Sequence, residues 1–174
     1  MSRIGANALW PTPVFPAESK HRYNASTFDR VDPLLGGDAA LVELLEPRTR
    51  GGCTGAQQAS TISDLEPAHA RGMHLVGDLT PNHSDDTHDW FQAAQADPDS
   101  IEAGFYRFRH HPDDYWSWPG EPTLPTFDHC SPELRRRLWE GPDADVARWL
   151  RGPSALDGWR IDVANMIGRR RRSS

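Results

Sequence analysis

The chain lacks the run of roughly 18 to 20 apolar residues that a membrane-spanning helix needs. Met1 is not followed by the charged segment and apolar stretch of a secretory leader, so the cytoplasm is the expected compartment. Cysteine is scarce: Cys53 and Cys130 stand alone, which excludes a disulfide framework and a paired-cysteine zinc site. The Gly36-Gly37 and Gly51-Gly52 pairs do not build G-x-G-x-x-G, so a doubly wound nucleotide-binding domain is not supported. No internal repeat and no second domain is visible. With 37% hydrophobic and 25% charged residues the composition is that of an ordinary soluble globular chain. The arginine run Arg169-Arg170-Arg171-Arg172 is a poor nucleic-acid footprint on a chain of net charge −6, so no nucleic-acid partner and no membrane partner is expected.

What is present is chemistry at the ends of apolar segments. Met73, Leu75 and Val76 lead into Asp78, and a polar turn with Asn82 and His83 follows. In Trp159-Arg160-Ile161-Asp162-Val163 the apolar residues alternate with the charged ones, so a strand would put Arg160 and Asp162 on one face. Two strands delivering carboxylates, a histidine and a guanidinium at their C-terminal ends fit parallel α/β architecture, where the loops after the strands build the site.

These segments resemble the α-amylase family of retaining α-glucan hydrolases and transglycosylases. Asp78-Leu79-Thr80-Pro81-Asn82-His83 is similar to the family's signature after the third barrel strand, and Gly158-Trp159-Arg160-Ile161-Asp162 to that on the fourth. Leu124-Pro125-Thr126-Phe127-Asp128 resembles the short loop between the two. Thr12-Pro13-Val14-Phe15-Pro16 with His21-Arg22-Tyr23 resembles the second strand and its tyrosine-bearing loop. The resemblance implies Asp162 as nucleophile and Arg160 as the residue that keeps it ionised and oriented. It implies Tyr23, His83, Asp78 and Asp128 as substrate-binding residues, Asp78 also matching a structural carboxylate near Arg160. Asn82 falls on a calcium ligand of some members, so calcium is the one cofactor raised and no other is expected. The implied partner is an α-linked oligosaccharide or glucan.

The residue types suit that chemistry on their own terms. A retaining glycosidase attacks the anomeric carbon with an ionised carboxylate, and a neighbouring arginine favours the charged form. An aromatic face and hydrogen-bond donors hold the transition state in place; Tyr23, Trp116 and Trp118 are candidate platforms. A second carboxyl group must protonate the leaving oxygen. In the family it lies on the fifth strand, beyond the segment carrying Asp162, and this sequence ends at Ser174. A complete barrel takes about 250 residues. The expectation over residues 1–174 is therefore a truncated (β/α)8 TIM barrel domain holding about the second to fourth strand-helix units, without the acid/base glutamate and inactive alone. The alternative is a non-catalytic remnant or carbohydrate-binding fragment. Either would expose open barrel edges prone to self-association.

Two stretches depart from the pattern. Residues 46–63 carry no helical or strand period and read as an irregular insertion in one helix, whose ends are marked by Asp38 as N-cap and Gly72 as C-terminal glycine. Residues 168–174 form a basic tail foreign to the family. A helix is expected from Thr87, and another with Ser131 as N-cap and Pro132 at its first position. Val146, Trp149 and Leu150 continue an apolar stripe that packs on the sheet. Three alternatives stay open: His83, Asp85, Asp86, His88 and Asp89 form a metal site or a helix-capping loop; Trp116 and Trp118 bind sugar or pack the loop; Asp78 and Arg160 serve the reaction or form a structural ion pair.

Overall fold

A computed structural model describes residues 5–45, 68–151 and 155–167. The stretch 46–63 and the tail 168–174 lie outside the described residues.

Three parallel strands, in the order β1 (Ala8–Leu9), β2 (His74–Leu79) and β7 (Gly158–Ile161), form the central sheet. This is the partial (β/α)8 arrangement the sequence anticipates. Parallel neighbours require crossovers that return the chain to the same end. Helix α1 (Gly37–Leu45) lies in the first crossover; α2 (Asp89–Ala96), α3 (Pro132–Arg135) and α4 (Asp145–Arg148) lie in the second. Between α2 and α3 run two small antiparallel hairpins, β3 (Phe108–His110) with β4 (Asp114–Tyr115) and β5 (Ser117–Trp118) with β6 (Glu121–Pro125). Among the described residues no helix is long and apolar enough to cross a membrane.

Two apolar clusters flank β2. One gathers Phe15, Phe28, Leu79, Phe91, Phe105, Tyr106, Phe127, Leu134 and Leu138. The other joins Val31, Leu41 and Leu45 of α1 with Leu75 and Leu156. Trp149 and Trp159 pack against both. Gly77 lies opposite Trp159 in the register, and a Cβ there would come within 2.4 Å of the indole ring. The missing side chain is what lets β7 seat its tryptophan on β2.

Asp157, just before β7, locks the lower end of this pairing. Its carboxylate accepts from the backbone N–H of Leu75 (2.8 Å), from His69 Nε2 (2.9 Å) and from His74 Nδ1 (3.0 Å). Led by His74, these donors hold the carboxyl well below the usual range.

Several expectations are corrected. Residues 12–16 form no strand: the strand pairing with β2 is Ala8–Leu9, because Pro11, Pro13 and Pro16 remove the N–H groups a ladder needs. Asp38 lies inside α1, and its carboxylate accepts from Val31 N at 2.7 Å instead of capping the helix. Gly72 does adopt the left-handed conformation (φ 67°), closing a 3₁₀ turn at His69–Arg71. Helix α2 starts at Asp89, two residues later than expected. Ser131 caps α3 as expected, accepting from Leu134 N. In the stripe after it Val146 and Trp149 face the core but Leu150 is exposed.

The N-cap of α2 is His88, whose Nδ1 accepts from Trp90 N at 3.1 Å. Its ring is buried against Phe28 and Trp90 (centroids 5.6 and 4.8 Å), and burial lowers its pKa to about 4. The unfolded chain takes up this proton near pH 6.5, so between pH 6.5 and 4 the unfolded state binds a proton that the folded state refuses. Stability should fall as pH drops through that window, by at most about 1.4 kcal/mol per unit from this group. Urea unfolding of His88→Asn, which keeps a capping acceptor, should show a flatter profile there; identical slopes would show that His88 is not responsible.

Candidate active site

The polar residues at the C-terminal ends of β1, β2 and β7 converge. Asp78 and Arg160 are register partners on adjacent parallel strands, and Arg160 Nη1 donates to Asp78 Oδ1 at 2.9 Å. The other oxygen, Oδ2, accepts from the Tyr23 hydroxyl at 2.9 Å and from Trp10 Nε1 at 3.1 Å. Asp78 is thus saturated by three donors while its side chain is fully buried. The guanidinium carbon of Arg160 also lies 5.1 Å from the centre of the Trp10 ring and 5.9 Å from that of Tyr23.

The same Nη1 of Arg160 reaches Asp162 Oδ1 at 2.5 Å. Asp162 stands one residue past β7, its N–H continuing the ladder to Leu79 O at 2.8 Å. The apolar alternation expected through Val163 stops here, since Val163 turns away with φ 45°, a costly conformation for a β-branched residue. The two carboxylates share one guanidinium but differ in kind. Asp78 is enclosed and fully bonded, so the structural ion pair anticipated as an alternative describes it well. The Asp162 side chain is 16% exposed and is the less enclosed of the two.

His83 sits on the opposite side of Tyr23. Its Nε2 lies 3.0 Å from the Tyr23 carbonyl and its Nδ1 3.2 Å from the Asn82 amide nitrogen. These partners fix a neutral ring with the proton on Nε2, and burial, which lowers the histidine pKa, favours the same state. A sugar hydroxyl would have to compete with the Tyr23 carbonyl for that N–H. The loop containing Asp128 packs alongside: Thr126 bridges to His83, and Phe127 N donates to Asn82 O at 3.0 Å. Asp128 itself is used locally, its Oδ1 accepting from Cys130 N at 3.1 Å.

The open alternatives separate. Asp85 accepts from Asn24 Nδ2 and from the N–H and hydroxyl of Thr87, and His88 caps α2, so the acidic loop is a capping and bracing loop. Among the described residues no three His, Cys, Asp or Glu side chains converge on a metal position. Asn82 is turned to His83, and its backbone carbonyl holds Phe127. Trp116 is covered by Arg109 and Arg107, with centroid distances of 4.2 and 5.6 Å, and packs the loop. Trp118 tilts against His83 at 5.7 Å and borders the site.

Sequence reasoning missed Trp10. In Ala8-Leu9-Trp10-Pro11 it reads as one more apolar strand residue; only the sheet order places its N–H over Asp78. If Asp78 is the common acceptor, Asp78→Asn should cost about 1–3 kcal/mol in urea unfolding, since one donor is left facing an amide. Arg160→Met should cost more, because it strands a buried carboxylate. The reverse order would contradict this arrangement.

Comparison with known proteins follows the same lines. The description "Alpha amylase, catalytic domain" matches residues 58–174. Alpha-amylase MalA of Haloarcula japonica is 29% identical over 94% of this chain and 21% of its own length. An intracellular maltogenic amylase of Bacillus subtilis is 26% identical over 94% of this chain and 24% of its own. The acarbose-soaked debranching enzyme of Nostoc punctiforme superposes with a TM-score of 0.76 at 29% identity, covering 96% of this chain and 32% of that one. The chain thus spans between about a fifth and a third of these relatives' length.

Proposed function

The chain belongs to the alpha-amylase family, and on that premise we propose that it forms part of the catalytic barrel of an α-glucan hydrolase working by retention, with Asp162 as nucleophile. The observation that carries this is the contrast between the two carboxylates on Arg160. One is sealed and held by three donors, while the other is presented at a strand end beside the same guanidinium. Arg160 orients Asp162 toward the anomeric carbon, Tyr23 offers an aromatic face beside it, and His83 and Trp118 bound the sugar on the far side. Asp128 supports the loop that carries Thr126 to His83 and does so through its turn. The acid that protonates the leaving oxygen is not Asp78, which is enclosed by Arg160, Tyr23 and Trp10.

The substrate is an α-linked oligosaccharide or glucan, in keeping with the relatives' names. The cytoplasm is the proposed compartment, in keeping with the word intracellular in the name of the Bacillus subtilis relative. The outer edges of β1 and β7 have no strand partner among the described residues, which suits self-association.

A fluoride leaving group needs no acid, so the nucleophile can be tested alone. Incubation of the whole chain with 5-fluoro-α-glucosyl fluoride should add one glycosyl unit to the peptide containing Asp162, seen by mass spectrometry, and Asp162→Asn should take up none. A cooperatively folded wild-type chain that acquires no adduct would contradict the hydrolase reading, even if it bound maltoheptaose.

A further inference from the structure

Among the described residues two that are not glycine have positive φ, and one of them, Arg22 at φ 66°, directly precedes Tyr23. An ordinary L-residue persists in that region only where its surroundings over-determine it. The surroundings of Arg22 do so. Its side chain is 13% exposed. Nε donates to Pro13 O at 3.1 Å, Nη2 donates to Phe15 O at 2.7 Å, and Nη2 also pairs with the Asp32 carboxylate. Its backbone N–H is held by Ser19 Oγ at 3.1 Å.

The carboxylate acceptor is itself fixed. Asp32 accepts from Leu34 N at 2.7 Å, donates its own N–H to Val14 O at 2.9 Å, and is buried. One planar fork therefore ties the segment after β1 to the turn at Pro33–Leu35, and its position dictates the backbone that follows. The next residue meets the site at both ends: the Tyr23 hydroxyl on Asp78 and the Tyr23 carbonyl on His83 Nε2. A lysine ammonium is a point charge that cannot reproduce the fork.

We propose that Arg22 is the positioning residue of the sugar-contacting loop, its guanidinium fork holding Tyr23 so that hydroxyl and carbonyl engage Asp78 and His83 together. Its meaning for substrate rests on the glucan reading above; its geometry does not.

The substitution Arg22→Gly separates the fork from the backbone, because glycine adopts the left-handed region without strain. The chain would carry 3-fluorotyrosine, with the Tyr23 line in the ¹⁹F spectrum assigned by its absence from Tyr23→Phe. Burial and the Asp78 hydrogen bond raise the Tyr23 phenol above its usual value. In Arg22→Gly the Tyr23 midpoint should move down toward that of an exposed phenol while the Tyr106 and Tyr115 lines stay in place. A wild-type Tyr23 midpoint in a cooperatively folded Arg22→Gly chain would overturn the proposal. Should that variant fail to melt cooperatively, Arg22→Lys is read instead: an intermediate midpoint is expected, and an unshifted one overturns the proposal equally. Maltoheptaose added to wild type tests the other premise. A Tyr23 line that ignores it counts against the glucan reading and leaves the positioning result intact.

Discussion

Asp78 is a charge placed where water does not reach it, and a buried carboxylate is tolerable only if the fold brings it donors. Each of its three donors comes from a different part of the chain: Trp10 from the end of β1, Tyr23 from the loop beyond, Arg160 from β7. That requirement fixes the sheet register, since a one-residue slip of β7 would set Trp159 or Ile161 opposite Asp78 and turn Arg160 to the other face. With Arg160 so anchored, the oxygen of Asp162 on the same guanidinium nitrogen has its place fixed as well. The ion pair is thus a gauge of correct strand assembly.

The apolar layers make the arrangement stiff. Leu79, beside Asp78 in β2, is buried in the aromatic cluster, while Leu75 lies in the cluster beneath α1. Trp159 bridges both clusters and lies across the side-chain-free Gly77, with its indole N–H on Val146 O at 3.1 Å. The polar end of the sheet therefore rests on side chains with little freedom to move, which is the preorganisation that the proposed nucleophile and its arginine need. Loops reach the site by being tied to one another: Thr126 to His83, Phe127 to Asn82, and Arg22 to Pro13, Phe15 and Asp32.

Those parts of the fold whose signals are local were legible from the sequence. The apolar run into Asp78 and the alternation through Asp162 marked β2 and β7 and paired Arg160 with Asp162, because side-chain period alone decides which face they share. Ser131-Pro132 marked a helix start by the same kind of local rule. What stayed hidden depends on partners far along the chain. Trp10 resembles core until β1 is laid beside β2. Asp38 looks like a helix cap, but the N–H of Val31 claims its carboxylate. Trp116 looks like a sugar platform until the Arg107 and Arg109 side chains cover it. The β3–β4 and β5–β6 hairpins are two to five residues per strand with irregular register, too short for a period to show. His83 is a sugar contact by resemblance, and only the structure reveals that its N–H is already given to the Tyr23 carbonyl.

The relatives extend well beyond this segment, and within it the two carboxylates on Arg160 differ: Asp78 organises the strand ends, and Asp162 is the proposed nucleophile. A double-mutant cycle of Trp10→Phe with Tyr23→Phe, run by urea unfolding in wild type and again in Asp78→Asn, tests that organisation most directly. Both donors act on one oxygen, so their effects should depart from additivity by more than the ~0.5 kcal/mol scatter of independent sites, and the departure should vanish in Asp78→Asn. Additive effects in wild type, or coupling that survives the loss of the carboxylate, would contradict the claim that Asp78 holds the site together.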